Sequence, residues 1–131
     1  MHEILHPRNW KPAIGYSNGI AAEGRMVFTG GMVGGNADCE FETDEFVGQA
    51  RQALANIVAV LAEAGARPEH LVRLTWYVTD KREYLADLKG LGAAYKAIIV
   101  RVYPTMALVQ VVALVEDRAK VEIEATAVIP R

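Results

Sequence analysis

The sequence predicts a mixed α/β (α+β) domain with element order β-β-α-β-α-β-β, in which two helices cover one face of a sheet. Apolar and polar residues alternate with a period of two over Ala119–Val128, as in a half-buried strand. Apolar residues recur at helical spacing between positions 44 and 64, and glycines, prolines and short polar turns separate the apolar segments. With 131 residues, the chain is expected to be a single domain spanning residues 1–131.

Composition narrows the class of protein. A formal net charge of −2 leaves no electrostatic footprint for nucleic acid or for an anionic membrane, so neither is expected as a partner. The 52% hydrophobic content is high for a small monomer and suggests subunit contacts. Cys39 is the single cysteine, and no signal peptide or apolar run of transmembrane length is visible, which predicts a cytoplasmic protein. The three histidines lack metal-ligand spacing, so no metal and no cofactor are expected.

The first third of the chain is expected to be extended. Two prolines make Met1–Ala13 an extended lead-in rather than a helix. Gly19–Ala22 and Arg25–Thr29 are predicted to pair as a hairpin around a turn at Glu23-Gly24. The glycines of Gly30–Gly35 permit the close approach of another backbone, but no Gly-Lys-Ser/Thr follows, so a phosphate-binding loop is not favoured.

The first helix is predicted over residues 44–64, with Thr43 as N-cap and Gly65 just beyond its end. Gln49 and Asn56 lie mainly off its apolar stripe and are expected to be solvated. The stripe comprises Phe46, Ala50, Leu54, Ile57, Val58, Leu61 and Ala64.

The second helix is predicted over Lys81–Ile98. Asp80, three residues before Glu83, resembles the start of a capping box. Gly90 and Gly92 each weaken a helix by roughly 1 kcal/mol relative to alanine, so a packing reason or a frayed region is expected there. Four side chains are expected to point inward: Leu85, Leu88, Leu91 and Tyr95.

The remaining strands are predicted over Leu71–Val78, Thr105–Leu114 and Ala119–Val128. The last two are expected to form an antiparallel hairpin around a turn at Glu116–Arg118. Thr105–Leu114 is apolar on both faces, whereas two helices can cover only one face of the sheet. The other face therefore needs a second copy of the chain or a ligand cleft.

Five segments together resemble the RidA/YjgF family, also called L-PSP or, in older naming, endoribonuclease. The segments are Gly15–Asn18 (GYSN), Val27–Gly31 (VFTGG), Gln49–Asn56 (QARQALAN), Tyr103-Pro104 (YP) and Val121–Ala125 (VEIEA). The resemblance spans about Ile14 to Val128. It implies a chorismate-mutase-like fold, a homotrimer whose sheets form a central barrel, and three small-molecule clefts between neighbouring subunits.

The resemblance also implies a chemistry, the hydrolysis of enamines and imines derived from amino acids to ammonia and a 2-oxo acid. It makes Glu122 the catalytic residue that positions water, and it places Tyr16 and Ser17 in the ligand cleft. The arginine that binds the substrate carboxylate in active members is replaced by Met106. A charged hydrogen bond contributes about 1.5–3 kcal/mol, so carboxylate recognition should weaken roughly 10- to 100-fold.

Further departures from the family pattern affect the polar lining of the cleft. Gly31 stands where the family has glutamine and Gly92 where asparagine is common. Backbone amides near Gly31 or Ala107 could replace the hydrogen bonds of the missing arginine. Arg101 could supply the cation from its loop, although a solvated loop arginine is the simpler interpretation. Simple imino acids are therefore not the expected substrates.

Three functions stay open at this stage. The chain could hydrolyse a larger or non-carboxylate enamine or imine, or bind a small molecule without turnover, which Met106 favours. It could also be chaperone-like or cleave RNA, although its acidity disfavours the latter. In a simpler interpretation Met106 fills the core and Glu122 is a plain surface carboxylate.

Overall fold

The structure, a computed structural model that describes residues 2–131, confirms the mixed α/β class. Within those residues it has seven strands, three α-helices and a short 3₁₀ turn at Pro68–His70. The elements are β1 (Glu3–Leu5), β2 (Gly19–Ala21), β3 (Arg25–Phe28), β4 (Met32–Val33), α1 (Phe46–Ala62), β5 (Leu71–Val78), α2 (Lys81–Ala86), α3 (Leu88–Ile98), β6 (Thr105–Gln110) and β7 (Val121–Ile129).

The main sheet has the strand order β3-β7-β5-β6, with β4 also paired to β7. The predicted hairpin of the last two strands is wrong, because β5 lies between β6 and β7. β5 is parallel to β6 and antiparallel to β7. The connection between β6 and β7 passes the end of β5, where the Val111 amide donates to Val78 O and the Thr79 amide donates to Lys120 O. A side-chain alternation specifies the two faces of a strand but not its neighbours.

The predicted hairpin near the N-terminus is also wrong. β2 pairs with β1, inside the predicted lead-in, whereas β3 pairs with β7. The turn residue Gly24 has φ +147° and lies against the backbone of Ile129, where a Cβ atom would overlap the carbonyl oxygen. The close approach at Gly24 allows the chain to pass from β2, in the small two-stranded sheet, to β3 at the edge of the main sheet.

The core lies between the sheet and the helices α1 and α3. The predicted strand over Leu71–Val78 is confirmed, and its residues Leu74, Trp76 and Val78 are buried against the helices. α1 begins at Phe46 rather than near Asp44, since the Thr43 hydroxyl accepts from the Glu45 amide and leaves Glu45 as the N-cap. On β7 the same buried face comprises Val121, Ile123, Ala125 and Ala127.

Gln49 is fully buried, which corrects the expectation that it is solvated. Its Nε2 donates to Thr43 O at 3.1 Å and to Arg118 O at 3.0 Å, and its Oε1 accepts from the Lys120 amide at 2.8 Å. Asn56 is half-buried and likewise bonds the backbone, at Val33 O and Gly35 O. These amides therefore join α1 to the loops beside it.

The predicted second helix is broken in two at Asp87. The Asp87 carboxylate accepts from the Gly90 amide and caps α3, and it leaves no room for a Cβ at Gly90. This is the packing reason for one of the two glycines. The break turns Leu85 and Leu88 outward, so that they are 54% and 51% exposed, and their predicted burial is wrong.

The predicted capping box at the start of α2 is only half formed. The Asp80 side chain accepts from the Arg82 amide, as a cap should. The Glu83 carboxylate instead accepts from Lys120 Nζ at 2.9 Å. Glu83 therefore links α2 to the loop before β7 rather than to its own N-cap.

The second face of the sheet carries no helix and is apolar in part. Phe28, Met26 and Val109 on this face are 64%, 58% and 45% exposed. The predicted uncovered face is therefore present in the isolated chain. Among residues 2–131, no helix is both long and apolar enough to cross a membrane.

Candidate functional site

A cavity of about 670 Å³ opens on the helix side of the sheet. Tyr16 and Met106, two of the predicted ligand-binding residues, both line it, as does Gly92 on α3. Its walls come from α2, α3, β5, β6 and the segments that precede β2 and β6. The complete lining is Ile14, Gly15, Tyr16, Trp76, Tyr84, Leu88, Leu91, Gly92, Tyr95, Lys96, Tyr103, Met106 and Leu108.

Strand register places Met106 in this cavity. Met106 pairs with Leu74 of β5, and residues paired across adjacent strands share a face of the sheet. Leu74 is fully buried against the helices, so the Met106 side chain also projects toward them. Met106 is half-buried and packs against the core while it borders the cavity.

Ser17 positions the segment that carries Tyr16 rather than lining the cavity. Its hydroxyl donates to Tyr103 O at 2.6 Å, and its amide donates to Pro104 O at 3.1 Å. These two bonds join residues 16–17 to the start of β6. Tyr16 is held at the mouth of the cavity, with 44% of its surface exposed.

Glu122 and Gly31 lie together on the other side of the sheet. Glu122 pairs with Tyr77 and with Val33, and Tyr77 alternates with the buried residues of β5. The Glu122 carboxylate lies directly over Gly31, where any Cβ atom would overlap it. Ala107 pairs with Thr75 and shares this open face.

The predicted site residues therefore form two groups on opposite faces of one sheet. Tyr16 and Met106 border the helix-side cavity, whereas Gly31, Ala107 and Glu122 lie on the open face or its rim. Within a single chain, Glu122 and Met106 do not face the same space. One ligand therefore cannot contact both groups within a single chain.

The two carboxylates of β7 have different surroundings. Glu124 Oε1 accepts from the Tyr77 hydroxyl at 2.9 Å, and this hydrogen bond raises the pKa of Tyr77. The Glu122 side chain is half-buried and accepts no hydrogen bond from another side chain or from the backbone among residues 2–131. The Glu122 carboxylate is therefore the one available to a water molecule or a ligand.

Aromatic residues dominate the cavity wall. Tyr95 and Tyr103 stack with ring centroids 5.7 Å apart and an interplanar angle of 10°. The Tyr95 hydroxyl donates to Val102 O, and burial raises the pKa of Tyr95 well above its usual value. Trp76 is 4% exposed, and its Nε1 has no hydrogen-bond partner among the described residues. The wall therefore favours a flat or apolar ligand group.

Sequence reasoning missed the cation at this cavity. Lys96 lines it and is the one charged residue that does so in the described part of the chain, whereas Arg101 is absent from the lining. Lys96 is four residues after Gly92 and thus on the same face of α3. The spacing of Gly92 and Lys96 could have indicated that Lys96 lies near the cleft. The position of the helix break before α3 is also needed to determine which face of α3 borders the cavity.

The comparisons agree with this architecture. The family model for endoribonuclease L-PSP matches residues 7–129. The 2-iminobutanoate/2-iminopropanoate deaminase of Escherichia coli is 32% identical over 132 residues, covering 98% of each chain. The structure of YyfB from Yersinia pestis, a protein of unknown function in the conserved Rid protein family, superposes with a TM-score of 0.86, at 31% identity and 98% coverage of both chains.

A second solved structure holds a ligand. Escherichia coli TdcF with bound serine is 32% identical, covers 97% of this chain and 98% of its own, and superposes with a TM-score of 0.69. The family model covers nearly the whole chain, and the sequence and the fold both resemble those of these relatives. The chain belongs to the endoribonuclease L-PSP family, also called the RidA/YjgF family.

Proposed function

We propose that this chain forms a homotrimer with small-molecule clefts between its subunits and hydrolyses or binds an enamine- or imine-type metabolite other than the simple imino acids. The division of the site residues supports it. Tyr16 and Met106 lie on one face of the sheet, while Gly31 and Glu122 lie at the other. The exposed apolar side chains of the open face, Phe28 foremost, supply a surface that a neighbouring subunit would cover.

The hydrolytic step needs few groups. Water adds to the imine carbon, and its proton passes to the Glu122 carboxylate acting as a general base. Glu122 delivers this proton to the imine nitrogen, which gives a neutral carbinolamine. Glu122 then takes the hydroxyl proton and passes it to nitrogen as the C–N bond breaks, so that the carbonyl group forms and ammonia leaves. An imine and one water thus become a carbonyl compound and ammonia.

Met106 determines which ligands suit this cleft. A thioether accepts hydrogen bonds only weakly and carries no charge, so it cannot hold a carboxylate as a guanidinium does. The neighbouring tyrosines and leucines extend this apolar surface. Small ligands such as the serine in TdcF, or the two imino acids in the name of the Escherichia coli deaminase, would leave most of it empty.

A binding protein without turnover is the second candidate, and Met106 favours it because the arginine position is altered while the frame of the cleft is retained. The exposed face that includes Phe28 and Met26 would suit a chaperone-like role if the subunits separated. Cleavage of RNA is less favoured because the net charge is −2.

Two measurements test the proposal. Light scattering should give a mass three times that of the chain, and a monodisperse monomer would contradict the intersubunit cleft. In a screen of imines generated in situ from larger amino acids, Glu122→Gln should abolish ammonia release. Glu124→Gln is the matched control, because it changes a carboxylate on the same strand face that is already bonded to Tyr77. Equal loss in both variants would reject Glu122 as the base.

A further inference from the structure

We infer that Lys96 binds the anionic group of the ligand, and that the helix-side cavity accepts a carboxylate with an aromatic or branched apolar body. This inference rests on the proposed function, since it specifies the ligand of the same cleft. It assigns the missing cation to α3 rather than to β6 or to the loop that carries Arg101.

The cavity is lined mainly by aromatic and aliphatic side chains. Tyr16, Tyr84 and Tyr103 surround it with Trp76 at its inner wall, and Leu88 and Leu108 add aliphatic surface. Apolar and aromatic surface of this extent is stabilised by contact with a body of similar character. A volume of about 670 Å³ is more than a two- or three-carbon side chain would fill.

Lys96 borders the cavity from α3, whereas Met106 borders it from β6. Four ion pairs occur among residues 2–131, and Lys96 belongs to none of them. Its exposed ammonium group is therefore free to pair with a ligand anion at the rim, while the body of the ligand lies over Met106 and the tyrosines.

Among residues 2–131, Lys96 is the one cation that lines the cavity. Arg101 is exposed and does not line the cavity. A carboxylate in the cavity therefore meets one positive charge among the described residues, and that charge lies on α3 rather than on β6, which carries the expected arginine position.

Binding of stable probes tests this without turnover. The probes are 3-phenylpropanoate, propanoate, which lacks the aromatic body, and 3-phenylpropanamide, which lacks the charge. A Trp10→Phe background leaves Trp76 as the single tryptophan, so its fluorescence reports occupancy of the cavity. In this background, dissociation constants are measured for the protein that retains Lys96 and for its Lys96→Gln and Lys96→Arg variants. Lys89→Gln is the control, because Lys89 lies on the same helix but does not line the cavity.

The expected result is that 3-phenylpropanoate binds more tightly than either other probe. Lys96→Gln should weaken its binding about fivefold, as for a solvent-exposed ion pair, while 3-phenylpropanamide is unaffected. Lys96→Arg should restore binding, and Lys89→Gln should leave it unchanged.

Equal affinity of Lys96→Gln and the natural protein for 3-phenylpropanoate would overturn the inference, as would tighter binding of propanoate or no binding of any probe at millimolar concentration. None of these results bears on the trimer or on Glu122, whose tests are the mass and the effect of Glu122→Gln on ammonia release. Failure of the inference and failure of the proposed function can therefore be told apart.

Discussion

Gly31 lies directly against the carboxylate of Glu122, so closely that a Cβ atom at position 31 would overlap it. The glycine thus fixes where the carboxylate rests above the loop that follows β3. Because the overlapping atoms belong to the end of a flexible side chain, Glu122 can move aside at little cost to folding.

Gly31→Ala should therefore lower activity without unfolding the protein. Displacing the base by about 1 Å is expected to reduce kcat roughly 10- to 100-fold, with the unfolding midpoint nearly unchanged. Gly30→Ala is the matched control, because a Cβ there meets only the Met32 Cε at 4.0 Å. Equal kcat values in the two variants would show that the contact between Gly31 and Glu122 has no catalytic consequence.

The two glycines of α3 should respond in opposite directions to alanine. Gly92 has open space around its Cβ position, so Gly92→Ala should stabilise the protein by about 0.5–1 kcal/mol through helix propensity. Gly90→Ala would collide with the Asp87 cap and should destabilise it by about 1 kcal/mol. Urea unfolding gives both values, and a stabilising Gly90→Ala would refute the cap geometry.

Alkaline pH should weaken the fold through Tyr95. Burial raises the pKa of Tyr95 in the folded protein, so the folded state retains the phenolic proton that the unfolded chain loses near about pH 10. The stability contributed by Tyr95 is therefore complete below pH 10 and is lost as the pH rises above it.

Tyr95→Phe isolates this contribution. The variant loses the hydroxyl bond to Val102 O, which should cost about 1 kcal/mol at neutral pH, and its stability should fall less steeply above about pH 10. Urea midpoints measured from neutral to alkaline pH provide the check. Parallel curves for the natural protein and Tyr95→Phe would show that Tyr95 does not cause the alkaline loss, leaving Tyr77, whose pKa shifts the same way, as the candidate.

The local sequence pattern was enough to predict much of the fold. The bounds of β5, Leu71–Val78, agree with the sequence prediction, and Gly65 follows the first helix at φ +77° as a C′ glycine should. Strand pairing was not predictable in this way. The neighbours of β7 depend on where the long connection after β6 passes, and that path is set by bonds to Val78 and Thr79 far away in sequence.

The site residues also divide into those that the sequence could indicate and those that depend on contacts between residues distant in sequence. Tyr16 and Met106 were candidates only through the family resemblance. The register of β6 places Met106 at the cavity, and the hydrogen bonds of Ser17 to Tyr103 and Pro104 place Tyr16 there. Gln49 was expected in solvent because its partners, the backbone at Arg118 and Lys120, are about seventy residues away. Lys96 escaped notice because its orientation depends on the helix break at Asp87.

The most direct test of the proposed recognition is ammonia release from freshly generated 2-iminopropanoate, measured for the natural protein beside Met106→Arg. We expect kcat/KM of Met106→Arg to exceed that of the natural protein by roughly 10- to 100-fold, because a guanidinium at the cavity wall restores the carboxylate contact. Equal and robust activity in both proteins would contradict the proposed role of Met106, since the carboxylate of a small imino acid would then be bound without any group at position 106.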